Sequence, residues 1–161
     1  MRAMTRVWRI TTVAFVQSAF DGEGARRYGG RWNSPGMPLV YCAATMSLAI
    51  LEMMVQDQPL RAHYNLIPAI IPDQMHIETI AVGQLPKNWR RSDGVARLRE
   101  IGGEWLASGR SAVLRVPSAV LPLESNFLID PRHADFRRIE TGRPESLDRD
   151  SRLLRKATSR V

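Results

Sequence analysis

Between Ala43 and Val55 the chain reads AATMSLAILEMMV, an apolar run interrupted by one ionisable side chain, Glu52. The run holds neither glycine nor proline and is rich in Leu, Met and Ala, so it favours a helix. Thr45 is placed to cap its start, and the pattern ends near Gln56. At helical spacing Leu48, Leu51, Glu52 and Val55 share one face. A helix this apolar has to pack against other elements, which commits the chain to a layered domain. A carboxylate on its apolar stripe is costly to bury without a partner or a task. Periodicity alone also permits Glu52 at the exposed edge of the helix, reaching water.

The remaining elements predict the layer it packs on. Thr5–Thr12 (TRVWRITT) alternates apolar and polar residues and reads as a short strand carrying Arg9. Asp21 to Gly30, with Gly22, Gly24, Gly29 and Gly30, reads as a loop. It lacks the third glycine of a dinucleotide fingerprint, and no strand leads into it. Arg31–Asn33 and Leu39–Ala43 flank the turn Ser34-Pro35-Gly36 and predict a hairpin. Asn65–Ile71 and His76–Val82 read as strands, with Pro68 marking an edge or a bulge. Asp93–Ser108 has helical spacing, bent or broken at Gly102 and Gly103 and ended by Gly109. Strands are expected at Ala112–Val116, Ala119–Ile129 and Phe136–Ile139. The sum is an α/β (α+β) fold, a single compact domain over residues 1–142 with a mixed sheet core and flanking helices. Residues 143–161 form a charged tail, mobile or partner-binding.

The 161 residues suffice for one core without metal or disulfide staples. Cys42 is the single cysteine, so no internal disulfide forms, and no apolar run approaches the roughly 20 residues that cross a bilayer. The N-terminus lacks the long apolar segment of a signal peptide. These features predict a soluble, cytoplasmic protein. The net charge of +7 and the isoelectric point near 10.7 suit anionic ligands or partners. Arginine supplies nearly all of it, Lys87 and Lys156 being the only lysines, and the arginines are scattered among acids. This pattern favours a small phosphate-bearing ligand or an acidic protein segment over direct DNA binding.

Several residues carry chemistry. Glu52 beside arginines suits the stabilisation of a cationic transition state or the orientation of a sugar hydroxyl. Arg31, between Gly30 and Trp32, offers a fork for phosphate; taken alone it equally fits a surface position on a strand edge. Tyr28, Trp32 and Tyr41 offer stacking surfaces, with core packing as the plainer role of Trp32. His63, His76 and His133 have no ligand spacing, so no metal is expected. Neither G-x-S-x-G nor a P-loop is present.

The run GARRYGGRWNSPGMPLVYCAATMSLAILEMMV, followed by VLRVPSAVLPLESNFLIDP, resembles the RES-domain family of bacterial toxins, which are named for an arginine, a glutamate and a serine. The resemblance implies an ADP-ribosyltransferase-like fold and an enzyme that consumes NAD+ by breaking the nicotinamide–ribose bond. It places the family arginine on Arg31, the strand tyrosine on Tyr41, the glutamate on Glu52 and the serine on Ser118, with Ser111 and Ser125 as alternatives. It also implies Tyr28, Arg9 and Asn126 as pocket residues. Arg31 then holds the pyrophosphate or a ribose-phosphate edge, Tyr41 and Tyr28 pack on the nicotinamide end, and Glu52 stabilises the ribosyl cation or holds its hydroxyls. Ser118 hydrogen-bonds ribose or amide. The acceptor of ADP-ribose is water, phosphate or a protein.

An antitoxin carrying a helix-turn-helix domain is the implied partner, in a homodimer or a toxin–antitoxin hetero-oligomer. Two other classes fit the residues without the resemblance. One is a basic RNA-binding or RNA-acting module without NAD chemistry. The other is a non-catalytic domain in which Glu52 is the buried ion-pair partner of Arg31.

Overall fold

The computed structural model describes residues 4–56, 62–148 and 150–154. Its core is a mixed sheet built from strands β1 (Thr5–Thr12), β2 (Val40–Ala43), β3 (Tyr64–Ile71), β4 (Ile77–Thr79), β5 (Val113–Pro117), β6 (Ser125–Ile129), β7 (Glu140–Thr141) and β8 (Glu145–Ser146). The order is β4-β5-β6-β2-β1-β3-β7, with β8 also on β3. Only β4 runs parallel to its neighbour. β1 meets β2 at the single pair Trp8↔Ala43, and Ala43 and Val116 both pair with Asn126. Trp8, Ala43, Asn126 and Val116 therefore form one row across four strands, on one face of the sheet.

Two helices cover that face. α2 (Met46–Gln56) buries Leu48 and Ala49 against Ile10, Ala43 and Leu66. Thr45 caps it as its sequence predicts, its Oγ1 accepting from the Leu48 amide at 3.1 Å. α3 (Val95–Ser108) packs Leu98, Trp105 and Leu106 with Trp32, Trp89, Leu114, Val116 and Leu128. The opposite face buries Val7, Val40, Cys42, Phe127 and Ile129 under Phe20 and Phe136. Asn126 thus stands where the two helix-covered clusters meet, between Ala43 of one and Val116 of the other.

Several expected elements differ. The glycine-rich segment is not all loop: Glu23–Tyr28 forms a short helix, α1, with Asp21 accepting from the Glu23 amide at 2.8 Å and Glu23 bound by Arg26 and Arg27. Arg31–Asn33 is not a strand. Its polar atoms bond to Tyr41, α1 and the turn, so β2 pairs with β1 and β6 and no hairpin forms. α3 runs unbroken through Gly102, where a Cβ would strike the Trp32 carbonyl; the glycine serves close packing and does not bend the helix.

The stretch expected to extend from Ala119 is a turn up to Glu124, with strand only from Ser125. Phe136–Ile139 lies mostly in a 3₁₀ turn, Ala134–Arg138, whose start is capped by His133. The strand predicted at His76–Val82 is shorter and confined to β4. Pro68 does mark an irregularity. Between Leu66↔Glu145 and Ala69↔Thr141 the partner chain spends one more residue than β3, a bulge opposite the missing N–H.

Past Gly142, β8 pairs with β3, and the Leu147 amide donates to the Tyr64 carbonyl at 3.0 Å. Residues 149 and 155–161 of the expected tail lie outside the described residues. Among those described, no helix is long and apolar enough to cross a membrane, and no group of three or more His, Cys, Asp or Glu could hold a metal.

Candidate active site

Glu52 projects from the side of α2 that faces the sheet and is half-buried. Two side chains from distant parts of the chain donate to the same oxygen: Ser118 Oγ to Oε1 at 2.7 Å and Asn126 Nδ2 to Oε1 at 2.7 Å. Oε2 has no protein partner among the described residues. Ser118 is fully buried just after β5, and its hydroxyl also accepts from the Val120 and Leu121 amides at 3.1 and 3.0 Å. One hydroxyl therefore ties the turn after β5 to the carboxylate. Asn126 comes from the shared row of the sheet, and its Oδ1 is buried without a partner. Such an atom is costly to leave unpaired and is a ready acceptor for a ligand N–H or O–H.

Of the three serines, Ser118 alone reaches Glu52. Ser111 accepts from the Trp105 indole and donates to the Val113 carbonyl, and Ser125 accepts from Arg115.

Arg31 sits in the loop between α1 and β2. Its Nη1 donates to the carbonyls of Trp89 at 3.2 Å and Arg90 at 3.4 Å. It makes no ion pair with Glu52 or with any other described acid, so the reading of a buried Arg31–Glu52 pair is not met. Arg99 of α3 reaches the same loop, its Nε donating to the Gly30 carbonyl at 2.8 Å. Arg31, Arg90 and Arg99 thus bind main-chain oxygens and lack acid partners among the described residues. That leaves the charges of Arg31 and Arg99 for an anion.

Tyr41 holds the Arg31 loop. Its hydroxyl donates to Asn33 Oδ1 at 2.7 Å and accepts from the Trp32 amide at 3.0 Å. Burial pushes the phenol well above its usual value, opposed by the Trp32 bond and the nearby Arg99 and Arg31 charges, so it stays a neutral donor. Gly30 is required beneath it, since a Cβ there would strike the Tyr41 hydroxyl. Tyr41 pairs with Leu128, two residues along from Asn126 on the same face, so its ring lies one step from the Glu52 partners.

Asn33 was not singled out by the sequence, yet it is fully buried and donates to the Ala25 and Met37 carbonyls, both at 2.9 Å. Its place in GGRWN was the available signal. Arg90 and Arg99 gave none, being two of many arginines scattered among acids.

Arg9 and Tyr28 make no hydrogen bond to Glu52 or Arg31 among the described residues. They line a groove of about 370 Å³ with Phe15, Asp21 and Arg27, a set that includes neither Glu52 nor Arg31. Arg9 bridges the diverging β1 and β2, donating to the Ala19 carbonyl at 3.1 Å and the Tyr41 carbonyl at 3.3 Å. Burial lowers its basicity, offset in part by Cys42 and Asp21, and it remains charged. Tyr28 is 81% exposed at the end of α1.

The RES domain family model matches residues 6–150. The chain is 37% identical over 152 residues to a protein named Toxin Res from Photorhabdus laumondii, covering 92% of this chain and 97% of the relative. It is 36% identical over 159 residues to a Prs ADP-ribosylating toxin from a Sphingobium species, covering 95% and 99%. In fold it is similar to a chain of the crystal structure of the M. tuberculosis MbcT–MbcA toxin–antitoxin complex, with a TM-score of 0.75, 20% identity, and coverage of 91% and 86%.

Proposed function

The chain belongs to the RES-domain family, and from that premise we propose that it is the toxin of a toxin–antitoxin pair and consumes NAD+ by cleaving its nicotinamide–ribose bond. The observation that carries this reading is the Glu52 carboxylate, fixed through Oε1 by Ser118 and Asn126 with Oε2 free of partners among the described residues. Nicotinamide in NAD+ is a cationic leaving group. The bond electrons depart with it, and the protein has chiefly to position the dinucleotide and stabilise positive charge on the ribose. Glu52 Oε2 supplies the negative charge or accepts from a ribose hydroxyl. Arg31 and Arg99, which lack acid partners among the described residues, suit the pyrophosphate, with Arg31 as its main contact. The ring of Tyr41 packs at the nicotinamide end. Ser118 and Asn126 act on Glu52, and the orphan Asn126 Oδ1 accepts from ribose or the carboxamide.

The acceptor then bonds to the ribosyl carbon and loses a proton. Likeness over nearly the whole chain to a toxin named for ADP-ribosylation supports a protein acceptor, with water and phosphate as the other two. Fold similarity to a chain of a toxin–antitoxin complex supports an antitoxin partner.

The test is release of nicotinamide from NAD+ by purified protein. Wild type is expected to consume NAD+, and Glu52→Gln to turn over at least about a hundredfold more slowly with unchanged melting temperature. Arg31→Ala is expected to raise KM. Undiminished consumption by folded Glu52→Gln protein would overturn the reading.

A further inference from the structure

We propose that Arg90 is the positioning residue that sets the separation between Arg31 and Glu52. The inference rests on the roles just given to those two residues, which stand on different supports, the loop before β2 and helix α2. Arg90 is where these supports meet. Its main-chain carbonyl accepts from Arg31 Nη1 at 3.4 Å, beside the Trp89 carbonyl at 3.2 Å. Its guanidinium reaches the turn after β5, Nε donating to the Ala119 carbonyl at 2.8 Å and Nη2 making a longer contact to the Val120 carbonyl at 3.5 Å. Val120 in turn donates its amide to Ser118 Oγ, which donates to Glu52. An unbroken hydrogen-bonded path therefore runs from the arginine to the carboxylate, with Arg90 at its centre.

The path is anchored at its Arg31 end. Trp89 is 5% exposed in the α3 cluster, and its amide donates to the Pro86 carbonyl at 3.0 Å, which fixes the main chain that Arg31 binds. The Ser118 end is a turn closed by the Ser118 amide on the Glu124 carbonyl and the Glu124 amide on the Leu121 carbonyl, both at 2.9 Å, and its tip is open to solvent: Ala119 and Val120 are half-buried and Leu121 and Leu123 exposed. A planar guanidinium spans two successive carbonyls where an ammonium would reach one. Arg90 itself is exposed, so its bonds add little to global stability. Their value lies in a distance, and reaction rates fall steeply when a reacting group is misplaced by about 1 Å.

The split between kinetic constants follows from which half of Arg90 does what. Arg90→Ala keeps the carbonyl that holds Arg31 and loses the grip on the Ser118 turn. With NAD+ as substrate and the full chain as enzyme, kcat is expected to fall about tenfold or more while KM moves far less. Arg90→Lys is expected to recover part of the loss. Hydrogen exchange at the Val120 and Leu121 amides is expected to quicken about tenfold in Arg90→Ala, with core strands β5 and β6 unchanged. Wild-type kcat in Arg90→Ala, or a loss of kcat without faster exchange at those two amides, would overturn the proposal. If wild type consumes no NAD+, or Glu52→Gln consumes it normally, the proposed function fails, and the exchange measurement still decides whether Arg90 braces the turn.

Discussion

Among the described residues, Glu52 receives its two hydrogen bonds on one oxygen, and that asymmetry gives the carboxylate a direction. Its need for partners was legible from the apolar run around it. The partners were not legible from pattern, because Ser118 and Asn126 lie 66 and 74 residues away and no periodicity links them to α2. Family resemblance named both, and the geometry brings both to the carboxylate. Arg90 and Arg99 went unread for a different reason: they act on main-chain atoms, which leave no mark on a sequence. Cys42, which is buried in the sheet, makes a separate prediction. Burial pushes its thiol up to about 12, opposed by Arg9. The native protein is expected to leave a thiol reagent unreacted at pH 8 and to react at once in denaturant; a native rate like that of a free thiol would contradict this burial. Because an unfolded thiol ionises near 8.5, this group's contribution to stability is full below that pH and is lost as pH rises toward 12. Chemical denaturation across that range measures it.

At the scale of elements, the glycine pair in α3 shows what residue type alone cannot decide. Helix breaking and close approach are both glycine roles, and only the partner surface distinguishes them. Gly102 lies against the Trp32 carbonyl, whereas a Cβ on Gly103 would meet Met37 Cε at 3.7 Å, an ordinary contact. Gly102→Ala is expected to cost about 1–3 kcal/mol by forcing helix and loop apart. Gly103→Ala is expected to cost nothing or to stabilise by up to about 1 kcal/mol through helix propensity. Urea titration of the two variants checks the contrast, and equal effects would remove the close approach as the reason for Gly102. The helix at Glu23–Tyr28 was masked by its flanking glycines, and the hairpin expected over Arg31–Ala43 failed because side-chain bonds from Asn33 and Tyr41 replaced strand pairing. α2 was read correctly since its signals, an apolar run and a threonine cap, are local.

At the scale of the molecule, the strand-rich single domain was legible from alternation and turn residues, but its strand order was not, since β1 finds both neighbours far along the chain. The division drawn at Gly142 also has a measurable meaning. Removing residues 143–161 deletes β8 and the packing of Leu147 on the α2 cluster. The truncated chain is expected to lose on the order of 2 kcal/mol by denaturant titration; unchanged stability would mean that the segment contributes nothing to the domain. The row Trp8–Ala43–Asn126–Val116 has a consequence for how such a chain evolves. It is the place where β1 joins β2, and it also carries the amide that holds Glu52. On the role proposed for Glu52, a change in this row removes the carboxylate's amide partner and disturbs the β1–β2 join together, so activity lost through this row is lost along with stability. Variants that lose the proposed activity and keep the fold are expected off that row, at Glu52 itself, in the turn after Ser118 and in the loop around Arg31.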